Sequence, residues 1–227
     1  MTTTTARADT EPDVVGAPGS PGTANPTLDP LVLGLPLISV GAIGLGLQLV
    51  GYVNLRANGA PLALLLAASG LGLLVATVAG TRLDATPASS PWRGGRALPT
   101  AVLGVLATFF LSYGLLVLGL VHGWFGIAPS EVQHTIASFQ IAWLVVFVFF
   151  SLASVRLPFL FTVLFVAFSI VLALLLVATL QTSSTVPSRI AGVLALVIAA
   201  AAGYVFLAVA SASGGGRELP IGRPIAR

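Results

Sequence analysis

The sequence predicts an all-α membrane protein with six transmembrane helices, and two observations, its composition and its long apolar runs, support that fold class. Of the 227 residues, 56% are hydrophobic and only 7% are charged, and the mean hydropathy is +1.03. A soluble domain carries about 25% charged residues. This chain has too few charges to cover a soluble surface, so lipid must surround most of it.

Six apolar runs are long enough to cross a bilayer as helices, for which about 20 residues are needed. They cover residues 31–53, 61–80, 98–121, 135–155, 157–181 and 189–210. We therefore place a six-helix transport domain at 29–211, between a disordered cytosolic tail at 1–28 and a second cytosolic tail at 212–227. The first tail is rich in Thr, Pro and Gly and lacks the apolar core of a signal peptide.

The arginines predict how the chain crosses the membrane, because cytoplasmic loops are enriched in positive residues. All 10 basic residues are arginines. Only Arg56 and Arg189 fall on the side opposite the termini. We therefore predict a multi-pass protein of the plasma membrane with both termini in the cytoplasm. The other arginines are Arg7, Arg82, Arg93, Arg96, Arg156, Arg217, Arg223 and Arg227.

The spans lack the residues that pumps and enzymes need. None contains Asp, Glu or Lys, whereas proton relays use intramembrane carboxylates or histidines. The absence of cysteine excludes disulfides and thiolate metal sites, and no catalytic or phosphate-binding motif is present. We therefore expect no enzyme activity, no cofactor and no metal. The few scattered charges exclude a nucleic-acid interface.

Small residues mark one face of span six at every fourth position. Such a face lets two helices approach closely in lipid. The sequence leaves open whether the partner helix belongs to the same subunit or to another one. The four residues are Ala191, Ala195, Ala199 and Gly203.

The beginning of span one is predicted to line a vestibule. Pro30 and Pro36 free backbone carbonyls, which lipid tolerates only inside protein or beside a wet cavity. Further along, Gln48 can hydrogen-bond across helices or line a polar path. Span three carries Thr108 and Ser112 on a weakly polar stripe, although single hydroxyls usually bond to their own helix. The vestibule and path candidates are Asp29, Pro30, Gly34, Gln48, Thr108 and Ser112.

Tyr113 lies near the middle of span three, whereas tyrosines of membrane proteins are enriched at the two interfaces. Two roles suit it. It can face a pore and bind substrate, or it can pack and bond a backbone carbonyl of a neighbouring helix. The residues alone favour the second role, since buried tyrosines usually find such a partner.

Four short motifs occur in order around the six spans. They are DPLVLGL at 29–35, SYG at 112–114, ASVRL at 153–157 and LPIG at 219–222. In this combination the chain resembles the acetate uptake transporter family, the succinate–acetate permeases of the YaaH type. Asp29 and Val32 depart from the first motif of that family, where Asn and Pro are usual.

The resemblance implies a homohexamer in the lipid bilayer, in which each subunit has its own path for a small carboxylic acid. It also implies an apolar and aromatic constriction from spans one, three and five, which falls here on Ile38, Tyr113 and Phe168. With the family match, Tyr113 is expected to face the pore. We therefore predict a transporter or channel for acetate and related short acids, which cross as neutral acid or with a proton. The alternatives are a urea- or amide-type channel for neutral solutes and a membrane scaffold that transports nothing.

Overall fold

The computed structural model describes residues 30–52, 55–82, 97–181, 184–213 and 219–221, which form six long helices and no β-strand. The predicted tail at 1–28 and Asp29 lie outside the described residues. The helices are α1 (Pro30–Leu49), α2 (Leu55–Arg82), α3 (Ala97–His122), α4 (Val132–Ala153), α5 (Phe159–Leu180) and α6 (Val186–Ser213), and a 3-10 turn, Ser154–Arg156, joins α4 to α5.

All six helices are long and apolar enough to span a membrane, which confirms the predicted fold class. Their spanning parts contain 20 to 26 residues, or roughly 30–39 Å of helix, against a hydrocarbon core of about 30 Å. The helices are apolar on all sides because one face meets lipid and the other meets neighbouring helices. The chain is therefore a multi-pass membrane protein.

The helices close into a ring around a central axis. Each helix packs against the next one along the chain, and α6 packs against α1. Helices α1, α3 and α5 begin on the same side of the ring, which we call the near side, and they end on the far side. The arginine distribution predicts that the near side is cytoplasmic.

The small residues of α6 pack within the subunit. Ala191, Ala195 and Ala199 are buried. Their neighbour Gly192 meets Gly46 of α1, where a Cβ atom added at Gly192 would lie 2.9 Å from the carbonyl oxygen of Gly46. Small residues permit such close backbone approach in lipid. The partner of this face is therefore α1 of the same subunit.

The described part of the LPIG motif, residues 219–221, lies against the near ends of two helices. The Tyr204 hydroxyl of α6 donates to the Pro220 carbonyl oxygen at 3.0 Å. The Leu160 amide donates to the Ile221 carbonyl oxygen at 3.4 Å. Leu160 lies in the first turn of α5, where an N–H group has no partner within its own helix. The segment therefore caps α5 and ties it to α6.

Candidate substrate path

A small cavity lies on the central axis in the near half of the ring. Its walls come from α1, α3 and α5, together with Ala202 of α6. Every lining side chain is apolar, and the volume is about 30 Å³, where one water molecule needs about 10–15 Å³. The lining residues farthest from the near side are Ile38, Leu106 and Phe168.

The structure brings two of the three predicted constriction residues together. Ile38 and Phe168 are buried, and both line the cavity. Tyr113 is buried as well, but it lies two turns farther along α3 than Leu106 and is not part of the cavity wall. The three helices that the resemblance names thus meet at the axis, with Tyr113 displaced toward the far side.

Phe110 closes the axis between the cavity and Tyr113. Its side chain is fully buried. A Cβ atom added at Gly41 of α1 would lie 2.8 Å from the Cζ atom of Phe110, and the ring centroids of Phe110 and Phe168 are 6.5 Å apart. The glycine makes room for the ring, which fills the gap between α1 and α5. We call Ile38, Phe110 and Phe168 the axial barrier.

Beyond the axial barrier, Gln48 and Tyr113 form a polar pair. The Gln48 Nε2 atom donates to the Tyr113 hydroxyl oxygen across 3.5 Å. Gln48 thus bonds across helices, which is one of its two expected roles. The partner of the Tyr113 hydroxyl is this amide and not the backbone carbonyl that the residues alone favoured. The Oε1 atom of Gln48 is buried and has no hydrogen-bond partner in the described part of the chain.

An aromatic wall fills the seam between α3 and α4. On α3 the contact is made by Phe109. Its ring centroid lies 6.4 Å from that of Phe139, 5.3 Å from Trp143 and 5.4 Å from Phe147. Tyr113 joins the wall through Phe139, at 5.9 Å. The backbones of α3 and α4 touch over only a short stretch, so large rings complete the helix ring there.

The two predicted path hydroxyls of α3 do not reach the axis. Thr108 is exposed on the outside of the ring, and its hydroxyl donates to the Gly104 carbonyl oxygen at 2.9 Å. Ser112 is half-buried and donates to the Phe109 carbonyl oxygen at 3.1 Å. Both bonds stay within the helix, as is usual for single hydroxyls in spanning helices.

The beginning of α1 borders the axis through leucines. Leu31 and Leu35 line the near-side cavity. Pro30 and Gly34 are buried against α2 and α3, and a Cβ atom added at Gly34 would lie 2.5 Å from a leucine of α3. These two vestibule candidates therefore serve helix packing in this conformation, and Asp29 precedes the described residues.

Phe110 and Gln140 were not predicted from the sequence. Phe110 follows Leu106 by four residues and precedes Tyr113 by three, so helical spacing places these residues on one face. Gln140 is a buried amide well inside α4, where polar side chains are rare and often functional. The helical spacing of Phe110 and the position of Gln140 inside a span are visible in the sequence. The structure was needed to show which faces of these helices point inward.

Six spanning helices around an axis lined by apolar side chains define a polytopic α-helical membrane protein. The chain belongs to the GPR1/FUN34/yaaH family, whose sequence profile matches residues 16–214, so the resemblance is confirmed. Among solved structures, the chain is similar to the bacterial acetate channel SatP, with a TM-score of 0.66 at 20% identity over 86% of this chain and 98% of that chain. At this identity the likeness establishes the fold alone. No curated protein sequence matches the chain.

Proposed function

We propose that this protein carries acetate and related short monocarboxylic acids across the cell membrane, as a channel or a carrier. The family and the fold shared with a bacterial acetate channel support the proposal. The chemistry of the axis is the observation that carries it. The axial barrier offers no polar side chain, and the pair beside it, Gln48 and Tyr113, is uncharged. Acetic acid complements both surfaces, because its methyl group matches the apolar barrier and its carboxyl group matches the polar pair.

The axial barrier favours the neutral acid over the carboxylate. An isolated carboxylate in a medium of low dielectric constant costs on the order of tens of kcal/mol, and the side chains of Ile38, Phe110 and Phe168 provide no dipole to offset that. A neutral acid loses only hydrogen bonds, at roughly 2–7 kcal/mol for each unpaired polar group. We infer that the Tyr113 hydroxyl binds the carboxyl group beside the barrier.

A proton then accompanies each acid molecule, bound to the substrate itself. None of the six helices contains Asp or Glu, and the neutral-acid step needs neither. On this proposal, coupling to a proton gradient needs no titratable relay in the spans.

Protein-dependent uptake of labelled acetate into liposomes, measured across a pH series, tests the proposal. At fixed total acetate the neutral fraction falls about tenfold per pH unit above the pKa of the acid, and we expect the flux to fall with it. Uptake by protein-free liposomes is subtracted, because neutral acids also cross lipid. Flux that follows the anion concentration would refute the neutral-acid step.

A channel for urea or simple amides is the second candidate. The Gln48 side chain favours it, because an amide presents a donor and an acceptor to another amide as well as to a carboxylic acid. The same liposomes separate the two candidates. Urea flux that does not respond to pH, with no acetate flux above the protein-free control, would favour the second one.

We further propose that the subunits form a homohexamer with both termini in the cytoplasm. The family resemblance supports the hexamer, and the concentration of arginine on one side supports the orientation. The mass of the purified complex tests the first statement. Labelling of an N-terminal tag in intact and opened cells tests the second, and a tag accessible in intact cells would reverse the orientation.

A further inference from the structure

Gln140 on α4 is a buried amide with one unpaired atom in the described part of the chain. Only 2% of its surface is exposed, and its Oε1 atom has no hydrogen-bond partner among the residues that the structure describes. A buried acceptor without a partner destabilises a protein, and polar groups deep in spanning helices are rare for that reason. Such a group is a natural contact for a ligand.

Gln140 belongs to a row of α4, at helical spacing, that faces α5. Two other polar residues of this row are satisfied by α5. The Gln133 Nε2 atom donates to a backbone carbonyl of α5 at 2.9 Å, and the Ser151 hydroxyl lies 3.1 Å from a serine hydroxyl of α5. In the same register, the residues of α5 that lie opposite Gln140 are Leu172 and Leu175. Helix α5 therefore offers Gln140 no polar side chain.

Gln140 and Gln48 lie at the same depth on the far side of the axial barrier. Gly41 of α1 and Phe168 of α5 both contact the barrier phenylalanine of α3, and Phe147 of α4 stacks on Phe168 at 5.2 Å. These contacts define one level. Gln48 follows Gly41 by seven residues and Gln140 precedes Phe147 by seven, so both lie about 10 Å farther toward the far side.

Tyr113 belongs to the same layer. Its hydroxyl is bonded to Gln48, and its ring contacts Phe139, the residue before Gln140, at 5.9 Å. Two amides and one hydroxyl thus share one layer of an apolar interior. An amide always presents one donor nitrogen and one acceptor oxygen. A neutral carboxylic acid complements both through its O–H and C=O groups, whereas a carboxylate complements only the donors.

We propose that Gln140 is the second amide of a carboxylic-acid site on the far side of the axial barrier, formed with Gln48 and Tyr113, and that it selects the protonated acid. The inference rests on the proposed function and deepens it. An amide oxygen in the site requires a hydrogen-bond donor from the ligand. The carboxylate has no O–H group to donate, so the site excludes the anion before it reaches the axial barrier. Gln140 is then a specificity-determining residue.

Two glutamine variants of α4 separate ligand binding from stability. Gln140→Leu removes the unsatisfied amide, so we expect a Tm equal to or above that of the wild type. The KM for acetate should rise about tenfold, as expected for one lost hydrogen bond. Gln133→Leu removes an amide that α5 satisfies, so we expect a lower Tm and a KM within about twofold of the wild type.

The KM is obtained from protein-dependent uptake in liposomes, and the Tm from the same purified proteins. A wild-type KM in Gln140→Leu overturns the inference and leaves the proposed function intact. A raised KM in both variants assigns the effect to helix packing and also overturns it. A wild-type protein that moves no acetate overturns the proposed function, and the inference with it.

Discussion

Gln48 of α1 and Tyr113 of α3, separated by 65 residues in the sequence, are joined by a hydrogen bond of 3.5 Å in the interior of the helix ring. The usual N–H···O distance is about 2.9–3.0 Å, so this bond is long and both groups keep capacity for a ligand. The contact explains a tyrosine at mid-span. Its ring packs in the aromatic wall, and its hydroxyl meets the amide of α1.

Removal of the Tyr113 hydroxyl should slow transport without unfolding the protein. In Tyr113→Phe the ring keeps its contacts with Phe109 and Phe139, and one lost hydrogen bond costs about 1 kcal/mol. We expect acetate uptake to fall about fivefold at an unchanged yield of folded protein. Tyr52→Phe, which loses an exposed hydroxyl outside the path, serves as control. Equal flux in both variants would count against a substrate contact at Tyr113.

Phe110→Leu should widen the axial barrier. The ring fills the space between Gly41 and Phe168, so a smaller side chain leaves a gap and lowers stability by about 1–2 kcal/mol. We expect the uptake of butyrate to increase relative to that of acetate. Phe149→Leu on the exposed face of α4 is the matched control and should leave the ratio unchanged. The same ratio in Phe110→Leu would remove this residue from the barrier.

Gly114 of the SYG motif should tolerate no side chain. A Cβ atom there would lie 2.8 Å from the Ala63 carbonyl oxygen and 2.9 Å from the Ala67 nitrogen, so α2 and α3 would have to separate. We expect Gly114→Ala to cost roughly 1–3 kcal/mol and to lower the Tm measurably.

Gly203→Ala on α6 is the control for this glycine variant. The nearest atom to a Cβ added at Gly203 is the Ser39 Oγ, at 3.8 Å, which is ordinary contact. Alanine also favours the helix over glycine by about 1 kcal/mol, so we expect no loss of Tm. A Gly114→Ala protein as stable as this control would show that α2 and α3 adjust to the added methyl group.

Weaker docking of the C-terminal segment should expose the start of α5. Tyr204→Phe removes the hydrogen bond to the Pro220 carbonyl oxygen. We expect faster hydrogen exchange at the Leu160 amide, whose acceptor is the Ile221 carbonyl oxygen. Amides in the middle of α5 are the internal reference and should exchange as in the wild type. Unchanged exchange at Leu160 would contradict a role of the tyrosine in holding the segment.

Two residues of the predicted constriction follow from counting along the helices from the motifs. Ile38 and Phe168 were placed from motifs that lie near them in the sequence, and the structure brings both to one cavity. A helix keeps its register over such short distances. Tyr113, taken directly from the SYG motif, lies farther toward the far side than these two residues, because the height of α3 against α1 and α5 depends on how the helices pack.

The polar stripe of α3 shows where the sequence could not decide. Thr108 and Ser112 share a face, and the stripe was interpreted as part of a path. The structure turns Thr108 outward and gives the inward face to Phe110 and Tyr113. In a soluble protein the polar face would be the outer one by default, but this helix has lipid on one side and apolar neighbours on the other.

The sequence by itself determined the six spanning helices, because backbone polar groups in lipid must be bonded within their own helix and long apolar runs suffice to identify such segments. The four motifs identified the family. Only the tertiary structure decided which face of each helix meets the axis, and so assembled Phe110 into the barrier and Gln48, Tyr113 and Gln140 into one layer. The physical reason is that lipid and the protein interior are about equally apolar, so hydropathy does not distinguish an outward face from an inward one.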